Sequence, residues 1–239
     1  MTEPNRTGMA FDMWEPVYRS ILADFGYDRR ADERARDLLD ALCGPSAEPA
    51  LDSLHFTGKR VAIAGGAPSL EAEFETARRA DVVVAASVAA EELLAAGIQV
   101  DCMVTDLDGN PEIARDLSAT GTPVAAHAHG DNIPALERHA PSFEQGMLLP
   151  TTQAAPVGAV YNFGGFTDGD RAAFLADALG AERLVFPGWE FDDPTVSEVK
   201  HRKLVWAERL LYWLERRRGE QFSLLDGRRA AIDTTALPL

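Results

Sequence analysis

From residue 58 onward the chain alternates short β-prone runs with segments of helical length, and few architectures accept that order. The runs are Arg60–Ala64, Val82–Ala86, Cys102–Thr105, 123–127, 147–149 and 183–186, and helix-length segments at 71–80, 89–96, 111–118 and 171–179 fall between most of them. Such alternation predicts an α/β fold, an open and mainly parallel sheet with helices on both faces. A last segment, 196–218, carries Val199, Leu204, Leu210, Leu211 and Leu214 and predicts a long final helix. Residues 57–239 are read as one α/β catalytic domain, although the tail after Gly219 has no assignable pattern.

Residues 1–56 follow another rule. Phe11, Trp14, Val17, Tyr18, Ile21 and Leu22 recur at spacings of three and four, as do Ala31, Ala35, Leu38, Leu39 and Leu42, which predicts two amphipathic helices. The second would be entered at 28–32 and closed by Gly44-Pro45. The stretch 43–56 reads as a connector, and the N-terminal helical segment as a packing or dimerisation appendage; a homo-oligomer is compatible with it.

Composition narrows the class. A chain of 239 residues, 46% hydrophobic, can bury a sizeable core without disulfides, so Cys43 and Cys102 are expected as small core residues. The longest apolar stretch, 82–96, is broken by Glu91 and Glu92, too short and too charged for a bilayer span, and the N-terminus lacks the apolar centre of a signal peptide. The expectation is a soluble cytoplasmic protein with no membrane partner. With 38 acidic against 23 basic side chains and a formal charge of −15, nucleic acid is excluded as the main partner, because it carries the same sign. The basic residues are 20 Arg and only three Lys: Lys59, Lys200 and Lys203. Genomic GC bias produces such a ratio, and so does adaptation to a molar-salt cytoplasm, where a Debye length of about 3 Å screens self-repulsion.

In an open parallel sheet, ligands bind outside the carboxyl ends of the strands, and the polar and glycine-rich loops of this sequence fall at those ends. Gly65-Gly66-Ala67-Pro68-Ser69 follows the first run; its glycines would let the backbone approach a phosphate, unless the loop is an ordinary turn with Ser69 as helix N-cap. Asp106 and Asp108 follow the third run, and two carboxylates one residue apart can both turn toward a hard cation such as Mg²⁺. After the fourth run, His127 and His129 alternate and could share a side, with Asp131 completing a metal triad suited to zinc. Alternatively the histidines bind or orient phosphate while Asp131 or Asn132 caps the next helix or joins the metal shell. Before the helix at 171–179 comes the run from Asn162 through Phe163, Gly164, Gly165, Phe166, Thr167 and Asp168 to Asp170. Thr167 and Asp170 have capping-box spacing, which leaves Asp168 without a structural reason and Arg171 as a candidate phosphate contact.

Taken in order, GGAPSL, VTDLDGN, HAHGDN and NFGGFTDGDRA resemble the archaeal-type 6-hydroxymethyl-7,8-dihydropterin pyrophosphokinases, the MptE-like family, over about residues 58–203. The stretch AASVAAEELLAAGIQVDCMVTDLDG, which includes Ser87, is also similar to thiamine pyrophosphokinases up to their acidic metal motif. The resemblance implies a thiamine-pyrophosphokinase-like core, Mg²⁺ on Asp106 and Asp108, and ATP and a reduced pterin as substrates. It implies transfer of the terminal diphosphate of ATP to the pterin hydroxymethyl group with release of AMP, a step toward folate- or methanopterin-type cofactors. Asp131, Asp168, Arg171, Lys200 and Lys203 join the metal pair as catalytic candidates. Gly65, Gly66, Pro68, Ser69, Ser87, His127, His129, Asn132, Asn162, Gly164, Gly165 and Thr167 are candidates for contacts to the substrates. The likeness stops after Trp189 and assigns no pterin contact, although Phe163, Phe166 and Trp189 could stack on flat rings. A dehalogenase-type phosphatase with Asp106 as nucleophile, a metal-dependent nucleotide-sugar glycosyltransferase and a non-catalytic nucleotide sensor stand as alternatives.

Overall fold

A computed structural model of the chain describes residues 8–43 and 48–239; Gly44-Pro45 lies outside them. Six parallel strands, β1 (Arg60–Ala64), β2 (Val82–Ala86), β3 (Cys102–Thr105), β4 (Val124–Ala128), β5 (Leu148–Thr152) and β6 (Arg183–Val185), form one sheet in the order β5-β4-β3-β2-β1-β6. The chain walks outward from β1 to β5, then returns past β1 to add β6 on its other side. Right-handed crossovers put the helices of the outward walk on one face and the returning helix on the other. The face of the walk carries a 3₁₀ turn at Pro68–Glu73 and the helices α4 (Phe74–Arg78), α5 (Ser87–Ala95), α6 (Pro111–Ala119) and α7 (Ile133–His139). The opposite face carries α8 (Asp168–Ala178), backed by α9 (Glu198–Arg218).

Strand side chains divide accordingly. Val61, Ile63, Val84, Cys102, Val104 and Leu149 enter the cluster with α8 and α9, while Ala62, Ala64, Val83, Ala85, Met103 and Val124 enter the other with α5, α6 and α7. Burial of alternate side chains on opposite faces is why these strands read as continuous hydrophobic runs. Cys102 is fully buried, and burial pushes its thiol, and that of Cys43, up to about 12.

The N-terminal helices α1 (Phe11–Phe25) and α2 (Arg29–Cys43) occur where the spacing predicts them. Trp14, Val17, Tyr18 and Ile21 of α1 share the cluster of α8 and α9, with Trp14 stacked on Trp213 of α9 at 6.4 Å. Ala35 and Leu39 of α2 join the other cluster, beside β5 and α7. Within the stretch expected as a connector a short helix, α3 (Glu48–Ser53), buries Ala50 and Leu51. Among the described residues no helix is long and apolar enough to cross a membrane.

Candidate functional site

The chain reverses its walk between β1 and β6, and the loops leaving those two strands part to open a cavity of about 240 Å³. Its lining includes Gly65, Gly66 and Ala67 after β1, Ser87 and Val88 after β2, Thr167, Asp168 and Gly169 at the start of α8, Gly188, Trp189 and Glu190 after β6, and Lys200 and Leu204 on α9. A crevice at such a switch point is where open α/β sheets bind ligands.

Carboxylates gather at the α8 side. Asp168 Oδ2 accepts a hydrogen bond from Ser87 Oγ at 3.0 Å, and Ser87 Oγ lies 2.7 Å from Thr105 Oγ1. A serine hydroxyl carries one proton, so with that proton given to Asp168 the Thr105 hydroxyl donates to Ser87. Thr105 Oγ1 in turn accepts from the Leu107 amide at 2.9 Å. This relay ties the ends of β2 and β3 to the first turn of α8. Leu107, at φ 64, is the one non-glycine residue in the left-handed region among the described residues, with its side chain buried in the core. That conformation costs about 1–2 kcal/mol, and it separates Asp106 from Asp108 in the TDLDG turn.

The charges are crowded. Burial works to raise the Asp106 carboxyl, but hydrogen bonds with His129 and Asp108 and the nearby Arg171 hold it well below its ordinary range. Its hydrogen-bonded partner Asp108 is pushed upward by that contact, by partial desolvation and by the charges of Asp106 and Asp168. Asp168 is raised to about 6, first by burial and then by Asp106. Acids placed so that two of them hold protons more tightly than usual form a site for positive charge. Among the described residues no group of three or more His, Cys, Asp or Glu side chains forms a ready-made metal cage. Of the three residues weighed for zinc, His127 is buried at 1% exposure, His129 is partly buried and Asp131 is exposed. An oxygen donor set of two carboxylates completed by substrate phosphates suits Mg²⁺, which is seldom held by an all-protein cage.

The histidines do different things. His127 Nδ1 lies 3.1 Å from Thr151 Oγ1, whose own proton goes to the Ala126 carbonyl at 3.1 Å, so Nδ1 is the protonated nitrogen. Burial, reinforced by Arg171 and His129, holds His127 well below its ordinary pKa, which favours the neutral ring. His129 accepts the Asp131 amide on Nδ1 at 3.3 Å and turns Nε2 to Asp106 Oδ2 at 3.4 Å. Asn132 makes no side-chain cap for α7. Its Nδ2 donates to Asp106 O at 2.6 Å and to His127 O at 2.7 Å, joining the β3 and β4 loops.

Several of the other expected contact residues also carry structural hydrogen bonds or close packing. The Gly65 amide donates to Pro187 O at 2.9 Å, the Ala67 amide to Gly188 O at 3.0 Å and the Ser69 amide to Glu190 Oε1 at 3.1 Å. Pro68 has no amide proton, so most of this loop's donors are taken from the phosphate-cradling role. A Cβ on Gly65 would stand 2.4 Å from Gly188 O, which explains that glycine by packing. Ala67, not Ser69, occupies the N-cap position of the 3₁₀ turn. Asn162 is buried and commits its Nδ2 to Gln153 O and Ala154 O and its Oδ1 to the Gly164 amide. Gly164 and Gly165 have φ 92 and 91, and a Cβ on Gly165 would lie 2.6 Å from Arg171 Cα. Phe163 and Phe166 are core residues, leaving Trp189 as the ring at the cavity. Asp170 accepts the Phe166 and Thr167 amides, as capping-box spacing predicts.

Arg171 is buried, its side chain 8% exposed, with Nη1 3.3 Å from Asp168 Oδ1 and Nη2 3.4 Å from Gln153 Oε1. It stands behind the carboxylates. Lys200 lines the cavity and Lys203 does not; Leu204, one turn beyond Lys200 along α9, takes that place. Sequence reasoning missed Asp32, 3% exposed in α2, which accepts Tyr18 Oη at 2.7 Å, Gln153 Nε2 at 2.8 Å and the Gly130 amide at 2.8 Å. The only available signal was an acid on the apolar stripe of an amphipathic helix.

Comparison with known proteins adds a family model and curated relatives. A model of MptE-like 6-hydroxymethylpterin diphosphokinases matches residues 37–195. A 6-hydroxymethyl-7,8-dihydropterin pyrophosphokinase of Methanothermobacter thermautotrophicus is 39% identical over 225 residues, covering 87% of this chain and 96% of that protein. Proteins of the same name from Pyrococcus furiosus and Methanocaldococcus jannaschii are 37% and 29% identical, covering 87% and 84% of this chain and 95% and 94% of their own lengths.

Proposed function

The chain belongs to the family of MptE-like 6-hydroxymethylpterin diphosphokinases, and from that premise we propose that it transfers the terminal diphosphate of ATP to the hydroxymethyl group of 6-hydroxymethyl-7,8-dihydropterin. The observation that carries the reading is that Asp168 lines a cavity at the switch point of the sheet and lies within reach of the charges of Asp106 and Asp108. The hydroxymethyl oxygen bonds to the β-phosphorus, the bridge to the α-phosphate breaks, AMP leaves, and Asp168 accepts the hydroxyl proton. Transfer to an unactivated alcohol requires alignment and charge neutralisation more than a covalent nucleophile.

Asp106 and Asp108 would hold Mg²⁺, which when bound neutralises phosphate charge. His129 fixes the Asp106 carboxylate, and Asn132 holds the loop that carries it. Ser87 and Arg171 orient Asp168 from two sides. Lys200, at the cavity, offers an ammonium to phosphate oxygens. The product would serve folate- or methanopterin-type cofactor synthesis, in a cytoplasmic setting.

The test is an incubation with ATP, Mg²⁺ and the reduced pterin, with nucleotides resolved by anion exchange. AMP should form in step with pterin consumption. Stoichiometric ADP would overturn the reading, and a trapped phosphoprotein at Asp106 would assign the chemistry to a dehalogenase-type enzyme.

A further inference from the structure

The cavity has a polar wall formed by Ser87 and Asp168 and a second region formed by Trp189, Glu190, Val196 and Leu204.

Glu190 is the informative residue there. Its Oε1 accepts the Ser69 amide at 3.1 Å, and among the described residues no hydrogen bond is made by its Oε2. Trp189 is held in place by its Nε1, which donates to Ile63 O at 2.9 Å, and by glycines at 65 and 169 that leave room for its ring. A rigid indole beside aliphatic side chains and a carboxylate describes a slot for a flat heterocycle with hydrogen-bond donors on its edge.

Resting on the functional reading above, we propose that this region is the pterin subsite and that Glu190 selects the pterin by its edge. A pterin presents two adjacent donors, the 2-amino group and N3–H, which a carboxylate can accept. Adenine presents a donor and an acceptor side by side, N6–H and N1, so a carboxylate there would face a lone pair. Asp168 and Asp193 also line the cavity, with Lys200 as the one basic residue among its described lining, which disfavours seating the triphosphate beside Glu190.

Glu190→Gln separates the alternatives, because the amide retains an acceptor for the Ser69 amide and loses the second acceptor for the ring. Binding of 6-hydroxymethylpterin and of 6-hydroxymethyl-lumazine, which carries an oxygen in place of the 2-amino group, is measured by calorimetry alongside the KM for ATP. The parent protein should prefer the pterin by about tenfold or more, the scale of one lost charged hydrogen bond. The variant should lose that preference while the KM for ATP stays unchanged. Unchanged preference in the variant, or an effect confined to ATP, overturns the inference and leaves the diphosphate transfer standing. A parent protein that neither binds nor turns over the pterin removes the functional reading, and this inference with it.

Discussion

Asp106 and Asp108 stand on either side of a left-handed leucine, and their carboxyl groups are close enough to share a hydrogen bond. Removing either charge should leave the turn in place, since Thr105 and Asn132 hold its backbone. Asp106→Asn and Asp108→Asn should each lower turnover by about a hundredfold or more, the scale of a lost group that stabilises transition-state charge. Near-normal turnover at saturating Mg²⁺ in either variant would identify that residue as an ordinary loop acid. Asp32 belongs to the same scale but to a different property. It is a buried carboxylate that accepts three hydrogen bonds, and an amide in its place turns a donor toward one of them. Asp32→Asn should cost about 2–4 kcal/mol of stability, read as a lower midpoint in urea unfolding. An unshifted midpoint would show that the network adds little to the fold.

At the scale of elements, α9 decides which of two lysines meets the cavity. Lys200 and Leu204 line it and Lys203 does not, as a helix with 3.6 residues per turn arranges for positions four apart. Lys200→Ala should lower kcat/KM for ATP by about tenfold, less than a buried ion pair would cost because the ammonium is exposed to solvent. Lys203→Ala should stay within about twofold of the parent on the same principle. Arginine at position 200 should restore activity only in part, since a planar guanidinium does not reproduce a compact ammonium. Equal losses from both alanine variants in steady-state assays would contradict this assignment of faces. The element α2 shows a second kind of influence, since its Asp32 reaches Gly130 in the loop after β4 and Gln153 after β5.

For the whole molecule, the balance of 38 acidic and 23 basic side chains sets the response to salt. Self-repulsion among these acids is long-ranged in dilute buffer and screened within about 3 Å at 1 M salt. The melting temperature should therefore rise with KCl up to molar concentrations. A flat or falling melting temperature would trace the scarcity of lysine to genomic base composition. Local pairing does not remove the surplus: arginines such as Arg218 and Arg229 are already engaged, with Asp177 and Glu220 and with Glu215 and Asp226 respectively.

Periodicity alone determined the class of fold and the places of the strands and long helices, because burial on both faces of a parallel sheet forces continuous apolar runs at β1 through β4. Local motif reading placed Asp106 and Asp108 in the loop after β3 and the capping pair Thr167 and Asp170 at the start of α8, since turn and cap chemistry is local. It could not show that Gly65, Gly164 and Gly165 answer to packing, because the backbone and the ring that crowd them are set against them only by tertiary structure. Nor could it separate His127 from His129: strand alternation puts both on one side, while the depth at which β4 ends decides that one is buried and the other reaches Asp106. Glu190 and Asp32 were invisible for the same reason. An acid acquires its role from the groups that converge on it, and those come from elements that only the folded chain brings together.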